Sequence, residues 1–324
     1  MRQFLPALRR RGLLAGKCVT MKKNRLLKIL IAVMLILIVA ASAWIVNRGR
    51  VVKNINDQAA QEAQAAEEEQ AKAEEEAAAA KEAEEAAIAS HVFARSGSSD
   101  IEEHSFKAYD AAIEAGNKYI EQDVVCSSDG VLYVSTETNA IIMTGYNGMY
   151  EYINSETVDE LRTDAGNPVL RLSQVFDKYG KDIHYVIELK DRREACTKAF
   201  EALVDKYGYS DVIIVQSMYP EVLETLEEKY PDMPKLLVCW NQAAFERNLD
   251  EPYIDMFSLK ADAGLMTESN CELTHQKKKL FGAWKLNDED SIKRAIDIGV
   301  DNYFTDNAAL ALSIEKDYGV KNRN

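Results

Sequence analysis

The 324-residue sequence has only four histidines, and its five cysteines form no Cys-x-x-Cys pair. Cys18, Cys126, Cys196, Cys239 and Cys271 are too widely spaced to signal a zinc site or a redox motif, and read as small buried residues. No G-x-G-x-x-G loop is present, which removes the usual support for an open dinucleotide-binding sheet. Acids are absent from residues 1–53, which carry twelve Lys or Arg, although the whole chain has a net charge of −14. Residues 57–87 hold eleven acids against Lys72 and Lys81, and the remaining residues carry −17. An acidic domain so far from neutrality lacks a basic face for nucleic acid, and no such partner is expected.

What is present divides into four parts. Residues 1–28 are a basic, cytoplasmic N-terminus, in which Met21-Lys22-Lys23 resembles a second translation start. Ile29–Val46 is uncharged and almost wholly apolar, and its 18 residues reach the lower limit for spanning a bilayer. Trp44 lies near the far end, as interfacial aromatics do. The rival reading is a cleaved signal peptide with Ala41-Ser42-Ala43 as its cleavage site; a buried core helix fits poorly with the dense flanking charge. The anchor is favoured because the apolar run continues past that site. Its heavier upstream cluster of Lys and Arg puts the N-terminus inside and the large domain outside. Residues 54–88 are nearly all Ala, Glu and Gln without Gly or Pro, the composition of a solvated helical spacer. Fully helical, residues 57–88 would span about 48 Å at 1.5 Å per residue. No apolar heptad seam precedes Ile88, so a coiled coil is not expected.

From residue 89 to 324 the composition is globular. Strand patterns at 88–94, 118–124, 131–136, 183–189, 211–216, 235–239, 253–258, 280–286 and 302–305 alternate with helical patterns at 103–116, 170–179, 193–207, 219–229, 267–278 and 288–298. Such alternation means parallel pairing in an α/β fold, and the size fits a (β/α)8 barrel of the TIM type. Nine strands are one too many, so one is surplus or pairs outside the barrel.

The stretch YIEQDVVCSSDGVLYVSTE, Tyr119–Glu137, reads as two strands joined by Ser127-Ser128-Asp129-Gly130. Glu121 and Asp123 stand two residues apart and therefore share a face. A salt bridge is the ordinary explanation; the sharper one is a divalent cation, since hard ions prefer carboxylate oxygens. In VIELK, Glu188 and Lys190 repeat the spacing. In a barrel, strand C-termini converge on one mouth, which would gather Arg95, Glu121, Asp123, Thr136, Glu137, Glu188, Lys190, Gln216, Trp284 and Asp306.

These motifs resemble the glycerophosphodiester phosphodiesterase (GDPD) family over residues 88–312. The family reads Glu-x-Asp, an Asp-Gly turn and an apolar strand ending in His-Asp; Glu121, Asp123, Asp129 and Gly130 match, while Thr136-Glu137 replaces His-Asp. ARSGSSDIEEHSFKAYDAAIEAG at 94–116 is similar to the family's opening, with Arg95, Glu103 and Ala115-Gly116 in place but Ala94 where the family has His. VIELK and AWKLNDEDSIKRAIDIGVDNYFTDN, at 283–307, match the family's Glu-x-Lys strand and closing segment.

The resemblance implies Glu121, Asp123 and Glu188 as ligands of Mg²⁺ or Ca²⁺, Arg95 and Lys190 as phosphate holders, and Trp284 as the glycerol-side wall. It also implies two histidines as general base and acid, and neither Ala94 nor Thr136 can move a proton. Each such loss costs about 10²–10⁴-fold in rate. Among the remaining histidines His104, beside Glu103, is the best substitute, with Glu137 as a further acid or base. Three expectations result: a membrane-anchored domain that binds glycerophosphodiesters or glycerol-phosphate polymer with reduced or absent hydrolysis; a working phosphodiesterase with rewired acid–base groups; or a protein-binding scaffold.

Overall fold

A computed structural model describes residues 11–97 and 101–322. The chain divides into two units, residues 1–79 and 80–324. The first is built on α1 (Arg11–Ser90), so the expected basic segment at residues 1–10 lies outside the described residues. α1 is long and apolar enough to cross a membrane, and side chains from Ile29 to Val46 are exposed all round it. An apolar surface on every side of one helix has no place in water.

The second unit is a closed barrel of eight parallel strands. β1 (Val92–Ala94), β2 (Tyr119–Cys126), β4 (His184–Leu189), β5 (Ile213–Ser217), β6 (Lys235–Cys239), β7 (Met256–Lys260), β8 (Leu280–Trp284) and β9 (Asn302–Thr305) pair in that order, and β1 closes the ring against β9. β3 (Leu132–Val134) is the surplus strand: it pairs antiparallel with β2 through Val124↔Val134. The first strand is shorter than its apolar pattern predicts, because α1 runs on through Ser90 and only three residues remain to pair.

The outer layer contains α2 (Phe106–Glu114), α5 (Leu172–Tyr179), α6 (Glu194–Tyr207), α7 (Pro220–Glu227), α9 (Glu268–Gln276) and α10 (Glu289–Asp297), where helical spacing predicted helices. The expected helix from 103 starts later, since Ser105 caps it by accepting from Ala108 N. Five shorter helices escape the periodicity reading: α3 (Ile141–Thr144), α4 (Ser155–Glu160), α8 (Gln242–Asn248), α11 (Ala308–Ile314) and α12 (Val320–Asn322). Each offers under about two turns of pattern.

Strand alternation assigns every second side chain to the barrel interior. Phe93, Val186, Ile214, Leu236, Met256 and Phe304 form an apolar interior layer. Two residues further along the same faces come Arg95, Glu188, Gln216, Val238, Ser258 and Asp306. The polar mouth is thus the next layer above an apolar floor. Odd-parity residues such as Val92, Ala94, Val124 and Ile187 belong to the larger core between strands and helices.

Gly282 sits on the interior face of β8, where an added Cβ would meet Phe257 O at 2.9 Å and Asn302 Oδ1 at 2.6 Å. Gly282→Ala is therefore expected to cost about 1–3 kcal/mol, read as a lower urea midpoint at unchanged slope.

Candidate functional site

β2 and β4 build the acidic wall. Their register places Asp123 beside Glu188, and Glu121 precedes Asp123 on the same face. Oxygens of Glu121, Asp123 and Glu188 lie within 4.8 Å of one another, all three residues being buried. Ser96 N donates to Glu121 Oε2 (2.8 Å), and Gln216 Nε2 to Glu121 Oε1 (3.3 Å). Lys190 Nζ bridges Asp123 Oδ1 (3.0 Å) and Glu188 Oε2 (3.2 Å). Glu188 Oε1 meets no hydrogen-bond donor. Lys190 pairs with two of the three buried carboxylates and Arg95 acts on the third, which leaves one acid charge uncompensated when all are ionised; a divalent cation is the group that such a donor set accommodates.

The electrostatics express the same imbalance. Burial, then the Asp123 charge, raises the Glu121 carboxyl well above its ordinary range. Burial likewise pushes Glu188 up to about 7, against the pull of Lys190. Asp123 moves the other way, because Lys190 and His104 outweigh its burial. Lys190 is desolvated, yet Asp123 and Glu188 raise it further.

Arg95 follows β1 and projects into the mouth. Burial works against its charge, but Glu121, Asp306 and Glu103 overcome this and hold it fully ionised. Its Nη1 contacts Asp306 Oδ1 (2.5 Å) and Glu103 Oε1 (3.0 Å). Asp306 is gripped in turn by Lys285 Nζ (2.5 Å) and Asn287 Nδ2 (2.7 Å). Arg95, Glu121, Asp123, Thr136, Glu137, Glu188, Lys190 and Trp284 all line one cavity of about 160 Å³.

His104 does not join them. It is fully buried behind the acidic wall, with Nε2 near Asp123 Oδ2 (3.3 Å) and Ser96 Oγ (3.2 Å), and Nδ1 near Tyr109 OH (3.0 Å). Both ring nitrogens are engaged, so it orients Asp123 rather than facing the cavity. Among the described residues no histidine lines the cavity. Ala94 is buried in the outer core, and Thr136 Oγ1 donates to Glu103 Oε2 (3.2 Å). Glu137 is exposed at the rim.

Sequence reasoning missed the far wall. Trp240, Ser258 and Val238 also line the cavity, and Lys260 stands beside them. The alternation that identifies Glu121 and Glu188 would have found these residues, counted from Leu236 and Met256. Both strands extend to the mouth beyond their obvious apolar cores.

Fold and site together define a (β/α)8-barrel protein with three clustered buried carboxylates and two basic residues, Arg95 and Lys190, at one mouth. The chain belongs to the Glycerophosphoryl diester phosphodiesterase family, whose sequence model matches residues 95–310. A Bacillus subtilis glycerophosphodiester phosphodiesterase is 23% identical over 252 residues, covering 69% of this chain and 85% of that protein. Similar solved structures include the glycerophosphodiester phosphodiesterases of Agrobacterium tumefaciens and Thermotoga maritima. Each has TM-score 0.59 and 21% identity over 69% of this chain, and 98% and 97% of theirs are covered. A phosphodiesterase of Oleispira antarctica, solved with the product sn-glycerol-3-phosphate, has TM-score 0.61 and 17% identity, covering 69% of this chain and 96% of that one. At these identities the structural likeness establishes the barrel.

The raised carboxyls carry a pH signature. In the folded, chelator-treated protein Glu188 keeps its proton up to about pH 7, whereas the unfolded chain releases it near its ordinary value of 4.5. The folded state then binds more protons than the unfolded state, so stability must fall as pH rises through that window. Urea midpoints in EDTA are expected to drop between pH 4.5 and 7 by on the order of 2 kcal/mol, and Glu188→Gln should flatten the slope.

Proposed function

We propose that this protein is a membrane-anchored, extracytoplasmic GDPD-family domain that binds glycerophosphodiesters and hydrolyses them slowly or not at all. The observation that carries this reading is a contrast between charge and proton transfer. Groups suited to a cation and a phosphate line one cavity, while the two positions where the family resemblance expects histidines hold Thr136, at that cavity, and Ala94, in the outer core.

Glu121, Asp123 and Glu188 would hold a divalent cation, Mg²⁺ or Ca²⁺, supported by their mutual distances and the partnerless Glu188 Oε1. When bound, such an ion supplies positive charge against phosphate oxygens. Arg95 and Lys190 are placed to hold the remaining phosphate oxygens, and an ionised Arg offers a bidentate fork for them. Trp284 forms the apolar side on which a glycerol carbon face would rest. The Oleispira relative's product, sn-glycerol-3-phosphate, supports this ligand class, whether presented by a lipid head group or a glycerol-phosphate polymer. The apolar run in α1 supports the anchor, with residues 1–28 inside and the domain from residue 89 outside.

A working enzyme is the second reading, and exposure of Glu137 at the cavity rim favours it. His104 no longer supports it, because its ring is sealed from the cavity.

The test is hydrolysis of glycerophosphodiesters by the full chain in detergent with Mg²⁺ or Ca²⁺, beside a Glu121→Ala/Asp123→Ala variant. Background turnover is expected, with the cation raising the melting temperature of the wild type alone. Thr136→His, which places an imidazole in the cavity, should raise turnover by up to about 10²-fold. Wild-type turnover far above background and abolished in the double variant would overturn the binding reading and move the proton-transfer role to Glu137.

A further inference from the structure

The wall opposite the carboxylates is built from β6, β7 and β8 and has a different chemistry. Trp240 follows β6, and Trp284 ends β8; their rings pack edge to face with centroids 4.5 Å apart. Two adjoining indoles offer an electron-rich surface to a cation. Here the chain supplies that cation itself. Lys260, paired in register with Trp284, sets its Nζ 4.7 Å from the Trp240 ring centroid and 5.5 Å from that of Trp284. The ion partner found for Lys260 is Asp262, 3.6 Å away, whose side chain is 76% exposed, so its charge is only weakly compensated.

Two more groups on this wall are buried without a partner, Trp284 Nε1 and Ser258 Oγ. Both can donate a hydrogen bond, and a buried donor left unpaired costs free energy until a ligand satisfies it. A weakly compensated cation over the indoles is a surface for a negatively charged group, with the two unpaired donors lying just beneath it. A second ammonium would meet repulsion from Lys260.

We propose that Lys260, seated over Trp240 and Trp284, makes this wall a head-group subsite for an anionic polyol phosphate and excludes choline-type head groups. The inference rests on the glycerophosphodiester reading of the same mouth and adds the substrate class. Orientation follows from the barrel: the scissile phosphate lies toward Arg95 and Lys190, and the substituent beyond it extends toward β6–β8.

Tryptophan fluorescence reports on the subsite directly, because the chain's third tryptophan, Trp44, lies in α1. The full chain in detergent is titrated with sn-glycerol-3-phosphate, glycerophosphocholine, glycerophosphoglycerol, and a glycerol-phosphate dimer with a terminal phosphate. The wild type is expected to bind the dimer at least tenfold more tightly than the choline ester, a difference of about 1.4 kcal/mol. Lys260→Met should erase or invert that ratio, and Lys260→Arg, which keeps a cation, should retain it. A short soluble oligomer and a detergent-dispersed anionic lipid bearing the same head group then identify which source the subsite takes. Binding of sn-glycerol-3-phosphate with equal affinity for the choline and phosphate esters would overturn the subsite alone. Unchanged preference in Lys260→Met would do the same. Failure to bind any of the four ligands would overturn both the subsite and the phosphodiester reading.

Discussion

Everything at the mouth of this barrel depends on three carboxylates held within 4.8 Å of one another out of water. Such an arrangement is unfavourable unless positive charge is supplied, and the protein supplies part of it through Lys190 and Arg95. Lys190 neutralises the Asp123–Glu188 edge. Arg95 approaches Glu121 and is held in place by Asp306, which Lys285 and Asn287 hold in turn. The residual imbalance appears as carboxyls whose protonation is pushed upward by burial, most clearly at Glu188. That residue also has an oxygen facing no donor. A site maintained only by internal ion pairs would have little reason to leave it so.

The same contrast of charge gives the cavity a direction. The acids and the bases Arg95 and Lys190 stand on β2 and at the ends of β1 and β4, while β6, β7 and β8 present indoles, a hydroxyl and Lys260. What the cavity lacks, among the described residues, is a histidine. Thr136 is tied to Glu103, and His104 is engaged at both nitrogens behind Asp123, so the groups nearest the reacting position hold shape and charge.

Much of this was legible along the chain. Alternating strand and helix patterns define the barrel, and Glu121/Asp123 and Glu188/Lys190 reveal a shared face through their two-residue spacing. The long apolar run from Ile29 to Val46 stands out by composition alone. Less legible were the short helices, which have too few turns to show a period, and the β6–β8 wall. Trp240 follows β6 and Lys260 ends β7, both at the right parity, but nothing local distinguishes them from surface residues.

The sequence by itself determined which residues alternate inward and which carry charge, because strand geometry turns every second side chain to the same side. It could not decide where His104 points. A short loop with positive φ at that residue (56°) turns the imidazole under the acidic wall, a placement that depends on Ser96, Tyr109 and Asp123 arriving from three other segments. Nor could it seat Lys260 over two indoles from neighbouring segments. Those outcomes belong to the packing of neighbouring strands and the loops that follow them, while closure of the barrel brings together side chains far apart in sequence, as it does Arg95 and Asp306, at distances where their charges act on one another.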